Sequence, residues 1–354
     1  MGAFFIFVLL RMILEQRIKA FVILGKLFED ISINPHNHDD FYEIADKAKF
    51  QNPWFTKSNV ASAVLGLSKM LEENSIKEWI SQYNIQEKAA KRIAVVMAGN
   101  IPLVGFHDAL CVLITGNFLI AKFSSKDSIL MEYVLERLAE IEPEFSKMYE
   151  VTKDKLQNFD AIISTGSDNS ARYFEYYFGK YPHIIRKNRN SVAVILDSDS
   201  PTEYKKIGED IFSYFGLGCR NVSKIYVPKN FDMVAFLDSL THFESLTEHH
   251  KYMNNYEYNR SIFLMSQFQH LDTGYALFKE ENSYNSPLAV VNYSTYNSLK
   301  DVELELQQNA ENLQCVVCSE KTLNFPTVLP GESQQPKVSD YADNIDTINF
   351  LIKL

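Results

Sequence analysis

Arg92-Ile93-Ala94-Val95-Val96-Met97-Ala98-Gly99-Asn100-Ile101-Pro102 is the stretch whose reading decides the fold. Its first six residues are a continuous β-type run, the composition of a strand covered on both faces by helices. Reading outward, residues 103–114 look helical, Gly116-Asn117 breaks that helix, and residues 118–123 form the next strand. A helix is expected over 127–141, a strand over 159–164, a helix after Gly166-Ser167, and a strand over 191–196. This alternation predicts a doubly wound parallel sheet from about residue 90 to 196. Ligands of such sheets sit at the carboxyl ends of strands. The residues that follow the strands are Gly99-Asn100, Lys122-Phe123-Ser124-Ser125 and Thr165-Gly166-Ser167.

Before this region, residues 12–90 read as helical. Val60, Val64, Leu67 and Leu71 recur at helical spacing, with Ser58 as a candidate cap after the turn Asn52-Pro53-Trp54-Phe55. After it, a helix over 204–215 runs into Gly216-Leu217-Gly218-Cys219-Arg220-Asn221, followed by a strand over 223–227. The Pro/Gly/Ser-rich stretch 326–336 reads as a connecting loop. The expected organisation is an N-terminal helical region (1–90), a cofactor domain (91–197), an α/β domain carrying Cys219 (198–325) and a C-terminal segment returning to the core (326–354).

Composition narrows the class. The chain has 354 residues, 46% hydrophobic and 23% charged, which suits a folded protein of two domains, or one large α/β unit with insertions, rather than a disordered one. A net charge of −10 argues against a general nucleic-acid surface. Four cysteines make no disulfide framework, so the cytoplasm is the expected compartment. Ala3 to Leu10 is wholly apolar but far short of the roughly 20 residues that cross a bilayer, and it lacks the charged start and cleavage site of a secretory signal. Residues 1–11 are therefore expected to be a start-site artefact or a loose tail, with weak membrane contact as the alternative.

Each candidate group has a bland competitor. Cys219 lies between small and basic neighbours that admit a substrate and favour the reactive thiolate, yet a lone cysteine also packs as a small hydrophobe. Lys122, Ser124, Ser125 and Lys126 could hold a nucleotide's ribose or phosphate, or be a solvated loop. Gly166 and Ser167 open a helix whose amides could bind pyrophosphate, although no G-x-G-x-x-G is present. Cys315-Val316-Val317-Cys318 lacks the second pair that a zinc site needs, and His36-Asn37-His38-Asp39-Asp40 reads as a polar loop, so no metal is expected. His249-His250 reads as an exposed helix end. For His107 a core role and a site role stay open.

Taken together and in order, these signals resemble the aldehyde dehydrogenase superfamily, and within it the acyl-CoA reductases of the LuxC type. The resemblance rests on Ala98-Gly99-Asn100-Ile101-Pro102 with Gly116-Asn117 and Lys122, on Ser164-Thr165-Gly166-Ser167, on Gly218-Cys219-Arg220-Asn221, and most narrowly on the tail Pro330–Pro336 with Asp340–Thr347. It implies an α/β, aldehyde-dehydrogenase-like fold, with Cys219 as nucleophile and Asn100 as oxyanion donor beside the Cys219 N–H. It further implies Lys122 and Ser124 at the adenosine ribose, and Gly166 and Ser167 at the pyrophosphate. The superfamily's water-activating glutamate corresponds to Arg186-Lys187-Asn188-Arg189-Asn190, which has no carboxylate, so the resemblance implies an acyl-enzyme that survives to be reduced. Ser124-Ser125-Lys126, without the glutamate of NAD-specific members, favours NADPH. Glu281 is a loose counterpart of the glutamate that grips the nicotinamide ribose. The implied reaction takes a long-chain acyl-CoA or acyl-protein thioester to the aldehyde. An acyl-protein synthetase or transferase is a possible partner, and a homo-oligomer is expected. The competing readings are another thioester or acyl-phosphate reductase, an aldehyde dehydrogenase, or a non-catalytic subunit.

Overall fold

The computed structural model describes residues 12–354. The expectations for residues 1–11 lie outside them. Four helices come first: α1 (Leu14–Ile33), α2 (Asp39–Gln51), α3 (Lys57–Met70) and α4 (Glu73–Ser81). Among the described residues no helix is long and apolar enough to cross a membrane. The cap of α3 is Thr56, not Ser58: its side chain accepts from Asn59 N at 3.2 Å, one turn into the helix. Gly25 lets α1 press on the end of α3, because a Cβ there would lie 2.6 Å from Leu71 Cβ. Phe21, Leu24 and Phe28 of α1 join Val60 and Val64 of α3 in one core.

That core continues into the first sheet, made of β1 (Arg92–Val96), β2 (Phe118–Lys122), β3 (Tyr149–Val151), β4 (Ala161–Thr165) and β5 (His183–Arg186). The order is β3-β2-β1-β4-β5 and every pairing is parallel. Ile93 and Val95 point to the N-terminal helices and α5 (Phe106–Ile114), whereas Ala94 faces Leu156 and Ile162 on the other side. Burial on both faces is why β1 reads as an unbroken apolar run. The helices α6 (Ile129–Ile141) and α7 (Asp168–Phe178) complete this half.

The second half holds α8 (Pro201–Phe212), α9 (Met233–Asp238), α10 (His250–Met265) and α11 (Leu299–Gln308) with a second sheet. Its strands are β6 (Asn190–Val194), β7 (Val222–Pro228), β8 (Leu271–Asp272), β9 (Leu277–Glu280), β10 (Val290–Tyr296) and β11 (Leu313–Cys318), in the order β11-β6-β7-β10-β9-β8. Only the β8–β9 pair is antiparallel. The final helix α12 (Thr347–Ile352) returns to the first half, where Ile348 and Leu351 join the core that holds α5.

One strand departs from the sequence expectation. The strand expected over 191–196 belongs to the second sheet, where Val192 stands opposite Lys224 of β7 and Val316 of β11. An apolar run buried on both faces announces a parallel strand without saying which sheet receives it. The first sheet therefore ends at β5, and Lys187–Arg189 is the crossing between the halves.

In the turn before α6, Asp127 is buried, and its Oδ2 accepts from Leu103 N at 2.6 Å, while Oδ1 has no partner. Leu103 has φ 59°, an unfavourable left-handed conformation for a leucine, so this carboxyl clamps the Asn100–Leu103 turn. Burial pushes Asp127 up to about 7. The native state thus holds a proton that the unfolded chain releases near pH 4, and stability falls as pH rises between those values. Asp127→Asn removes that ionisation. We expect its stability relative to the unsubstituted chain to rise by about 2–3 kcal/mol between pH 5 and pH 8, measured by chemical denaturation.

Candidate active site

The loop that carries Cys219 is built around a left-handed excursion. After α8, Tyr214 (φ 50°), Phe215 (φ 60°) and Gly216 (φ 76°) all take positive φ. Only glycine adopts this conformation freely; each of the others costs about 1–2 kcal/mol. Phe215 is held against the stacked rings of Trp54 and His249, with ring centroids 5.4 and 4.2 Å away. Asn221, almost wholly buried, ties the remainder. Its amide donates to the carbonyls of Asp210 (3.1 Å), Ile211 (3.3 Å) and Ser213 (2.8 Å), and its Oδ1 accepts from Gly218 N at 2.7 Å. One side chain thereby satisfies the open end of α8 and fixes the residue before the cysteine. Ser191 Oγ donates to the Cys219 carbonyl at 2.9 Å.

Cys219 is the one exposed cysteine; Cys111, Cys315 and Cys318 are buried. Cys315 and Cys318 pack into different cores on opposite faces of β11. Among the described residues no group of three or more His, Cys, Asp or Glu side chains is placed to hold a metal. Cys219 reaches solvent through a cleft, but protein atoms crowd its sulfur. This desolvation pushes the thiol up; the Arg220 guanidinium opposes it, the Asp343 carboxylate adds to it, and Arg186 opposes it again.

Gly218 and Cys219 form a wall common to two cavities. One, of about 220 Å3, also touches Asn190 and Ser286-Pro287. The other, of about 170 Å3, is mostly apolar, with Leu67, Met70, Ile101 and Val104 in its wall, and Gln314 and Gln334 among its polar members.

The sequence-derived candidates gather in two places. Asn100 follows β1, and its Nδ2 donates to Leu217 O at 2.7 Å, which ties the end of the first sheet to the cysteine loop. Lys122 ends β2, with Ser124 and Ser125 just beyond it, while Gly166 and Ser167 follow β4. The strand order puts these three strand ends side by side, with the change of direction between β1 and β4. Lys122 Nζ donates to Asp154 O at 2.7 Å, and Ser167 caps α7 by accepting from Ser170 N at 3.3 Å. A Cβ on Gly99 would lie 2.6 Å from Ser124 Oγ, and one on Gly166 would lie 2.8 Å from Ser170 Cβ. Lys126 is exposed.

Other candidates have structural partners. His107 Nε2 meets Val338 O at 2.8 Å, its Nδ1 lies 3.9 Å from Cys111 Sγ, and burial pushes its pKa down. Both ring nitrogens are thus engaged, and the ring borders the apolar cavity that Cys219 also lines. Glu281 pairs with Lys279 at 3.0 Å and is absent from the walls of both cavities that Cys219 lines. His38 pairs with Asp30, and His249 caps α10.

Several contacts around the site were not foreseen. Arg186 is buried in an ion pair with Asp108 and donates to Thr347 Oγ1 at 3.0 Å. The tail brings in Asp343, a carboxylate near Cys219 that the expectation of an acid-free pocket did not include. It pairs with Arg189 at 3.5 Å, accepts from the Lys187 N–H, and is pushed up by burial. The stretch 326–336 is also more than a connection. Asp210 accepts from Gly331 N (2.7 Å) and Ser333 N (3.0 Å), which places Gln334 in the apolar cavity. Asp343 and Asn344 both have positive φ, and Asn and Asp are the residues that tolerate it best. The Asp-Asn pair in the quoted tail was the available signal.

The sequence pattern of the acyl-CoA reductase (LuxC) family matches residues 49–327. This chain belongs to that family. A relative, long-chain acyl-protein thioester reductase 2 of Photobacterium leiognathi, is 25% identical over 171 residues, which span 43% of this chain and 35% of that protein. The match thus covers about a third of the relative's length. Among solved structures, aldehyde dehydrogenase 21 from Physcomitrella patens, in complex with succinate, aligns with a TM-score of 0.65 at 13% identity, over 96% of this chain and 88% of that one. A Mycobacterium tuberculosis aldehyde dehydrogenase complexed with NAD+ aligns at 0.62 and 13% identity, over 86% and 73%. At such identities the likeness shows the fold: this acyl-CoA reductase family member has the aldehyde dehydrogenase α/β architecture.

Asn221→Ala removes the amide group that three backbone carbonyls share and the acceptor of the Gly218 N–H, so we expect a loss of about 2–3 kcal/mol in denaturant unfolding.

Proposed function

We propose that this chain reduces a long-chain acyl thioester to the aldehyde through an S-acyl intermediate on Cys219, with NADPH as the reductant. The observation that carries the reading is the Asn100–Leu217 hydrogen bond, which sets the only exposed thiol at the edge of a nucleotide-type strand crevice. The crevice suits a dinucleotide: glycines 99 and 166 stand where a Cβ would collide, and Lys122 and Lys126 supply positive charge at the end of β2.

Cys219 Sγ attacks the thioester carbonyl, the C–S bond to the carrier breaks, and the proton lost by Cys219 ends on the departing thiol. This exchange makes one thioester while breaking another, so the barrier is its chief cost. Asn100 and the Cys219 N–H stabilise the tetrahedral oxyanion; one such donor is worth about 3–4 kcal/mol. When bound, NADPH supplies a hydride to the acyl carbon. Collapse then expels the Cys219 thiolate and frees the aldehyde. The apolar cavity beside Cys219 takes the start of the acyl chain.

Lys122 and Ser124 hold the adenosine ribose, Ser125 and Lys126 favour a 2′-phosphate, and Gly166 with Ser167 receives the pyrophosphate. Arg186 replaces the water-activating acid, and the Arg189 pair occupies Asp343, both of which favour reduction over hydrolysis. Asp343 near the thiol is the one observation that favours aldehyde oxidation with water as acceptor. The donor is acyl-CoA or an acyl-protein, the latter supported by the name of the Photobacterium relative. A synthetase or transferase that delivers the acyl group, a homo-oligomeric assembly and a cytoplasmic location belong to the same proposal.

Radiolabelled long-chain acyl-CoA should label the unsubstituted chain and not Cys219→Ala, and NADPH should discharge the label as aldehyde. Label on the alanine variant, or release as fatty acid, contradicts the reading. Lys126→Glu should raise KM about tenfold or more for NADPH and leave that for NADH within about twofold, as expected when one charge-assisted phosphate contact is lost.

A further inference from the structure

We infer that Gln314 is a further oxyanion donor for the acyl carbonyl on Cys219, with its amide aimed by the backbone of the C-terminal tail. The inference rests on the proposed acyl transfer. Gln314 lies on β11, almost wholly buried, and lines the apolar cavity that Cys219 also lines. Its Oε1 accepts from the N–H of Asp343 at 2.9 Å. A backbone N–H can only donate, so the amide's acceptor end is fixed toward the tail and its NH2 end toward the other side. That Nε2 is buried and has no partner.

A buried amide donor without a protein partner in an apolar wall is costly to maintain, and an acceptor that arrives with a ligand offsets that cost. An acyl chain brings one strong acceptor, its carbonyl oxygen, which becomes an oxyanion when Sγ adds. Asn100 has already committed one amide hydrogen to Leu217 O, so the site gains from a second side chain with free donors. The donor's aim depends on Asp343, whose φ of 58° turns its N–H toward β11. The tail therefore contributes to the acyl site through its backbone, whatever its carboxylate does. Gln334 also has an unpartnered Nε2 in this cavity, but nothing fixes which way its amide faces.

The test uses the full chain without nicotinamide and follows acylation by hexadecanoyl-CoA beside alkylation by iodoacetamide, a reaction at the same sulfur that forms no oxyanion. We expect Gln314→Met to slow acylation about 100-fold, the size found for loss of one oxyanion donor, with alkylation within about twofold, and Gln314→Glu to slow acylation about 100-fold more than it slows alkylation, since its carboxylate also disfavours the thiolate. Gln334→Met should acylate at nearly the unsubstituted rate. Gln314→Glu keeps the acceptor for the Asp343 N–H, so it carries the test if the methionine variant does not fold. Near-normal acylation in the Gln314 variants overturns the inference and leaves the proposed function standing. A parallel fall in acylation and alkylation also overturns it, since it marks a loop support rather than a donor. Failure of the unsubstituted chain to acylate sinks the function and this inference with it.

Discussion

The site depends on one buried amide. Asn221 spans the end of α8 and the residue before Cys219 with four hydrogen bonds, and so holds three consecutive left-handed residues in place. Without it, the carbonyls of Asp210, Ile211 and Ser213 would need other donors. The strain at Tyr214 and Phe215 is tolerable because Asn221 fixes one side and the Trp54–His249 pair the other. An exposed sulfur on a rigid loop is the outcome. A flexible loop would let the thiol sink into the core, as the other three cysteines do.

Around this loop, elements far apart in sequence supply different functions. The first sheet offers a crevice at its strand ends, and Asn100 joins that crevice to the loop. The N-terminal helices and the turn after Asn100 give the apolar wall, and the tail closes the cavity. Asp210 connects these parts, since it receives the tail through Gly331 and Ser333 while its own carbonyl receives Asn221. Charge is treated consistently. Arg186 is neutralised by Asp108, and Arg189 by Asp343, so the buried charges behind the cysteine loop are held as ion pairs.

Much of the fold was legible because its signals are local. The β1, β2 and β4 runs are continuous and apolar, and their following loops carry Gly99-Asn100, Lys122-Ser124 and Gly166-Ser167. What escaped depends on contacts distant in sequence. The strand at Asn190–Val194 reads the same whichever sheet takes it, and its partners lie about 30 and 120 residues away. The short β3 and β5 have weak patterns. Arg17, buried against Ile114 O and Glu87, reads as an ordinary helix-surface residue in the sequence. At the site, Cys219 and Asn100 stand in recognisable local motifs. Gln314 lies in a strand where nothing marks it, and the role inferred for it rests on the Asp343 N–H and the cavity it borders.

The central claim is that a single carbonyl carbon, bound to Cys219, takes hydride before water reaches it. The most direct measurement preforms the acyl-enzyme, removes excess thioester, and chases it with NADPH deuterated at the transferable C4 position. Mass spectrometry of the product should find long-chain aldehyde with one deuterium on C1, and little fatty acid. Fatty acid as the main product, or aldehyde without deuterium, would contradict the account.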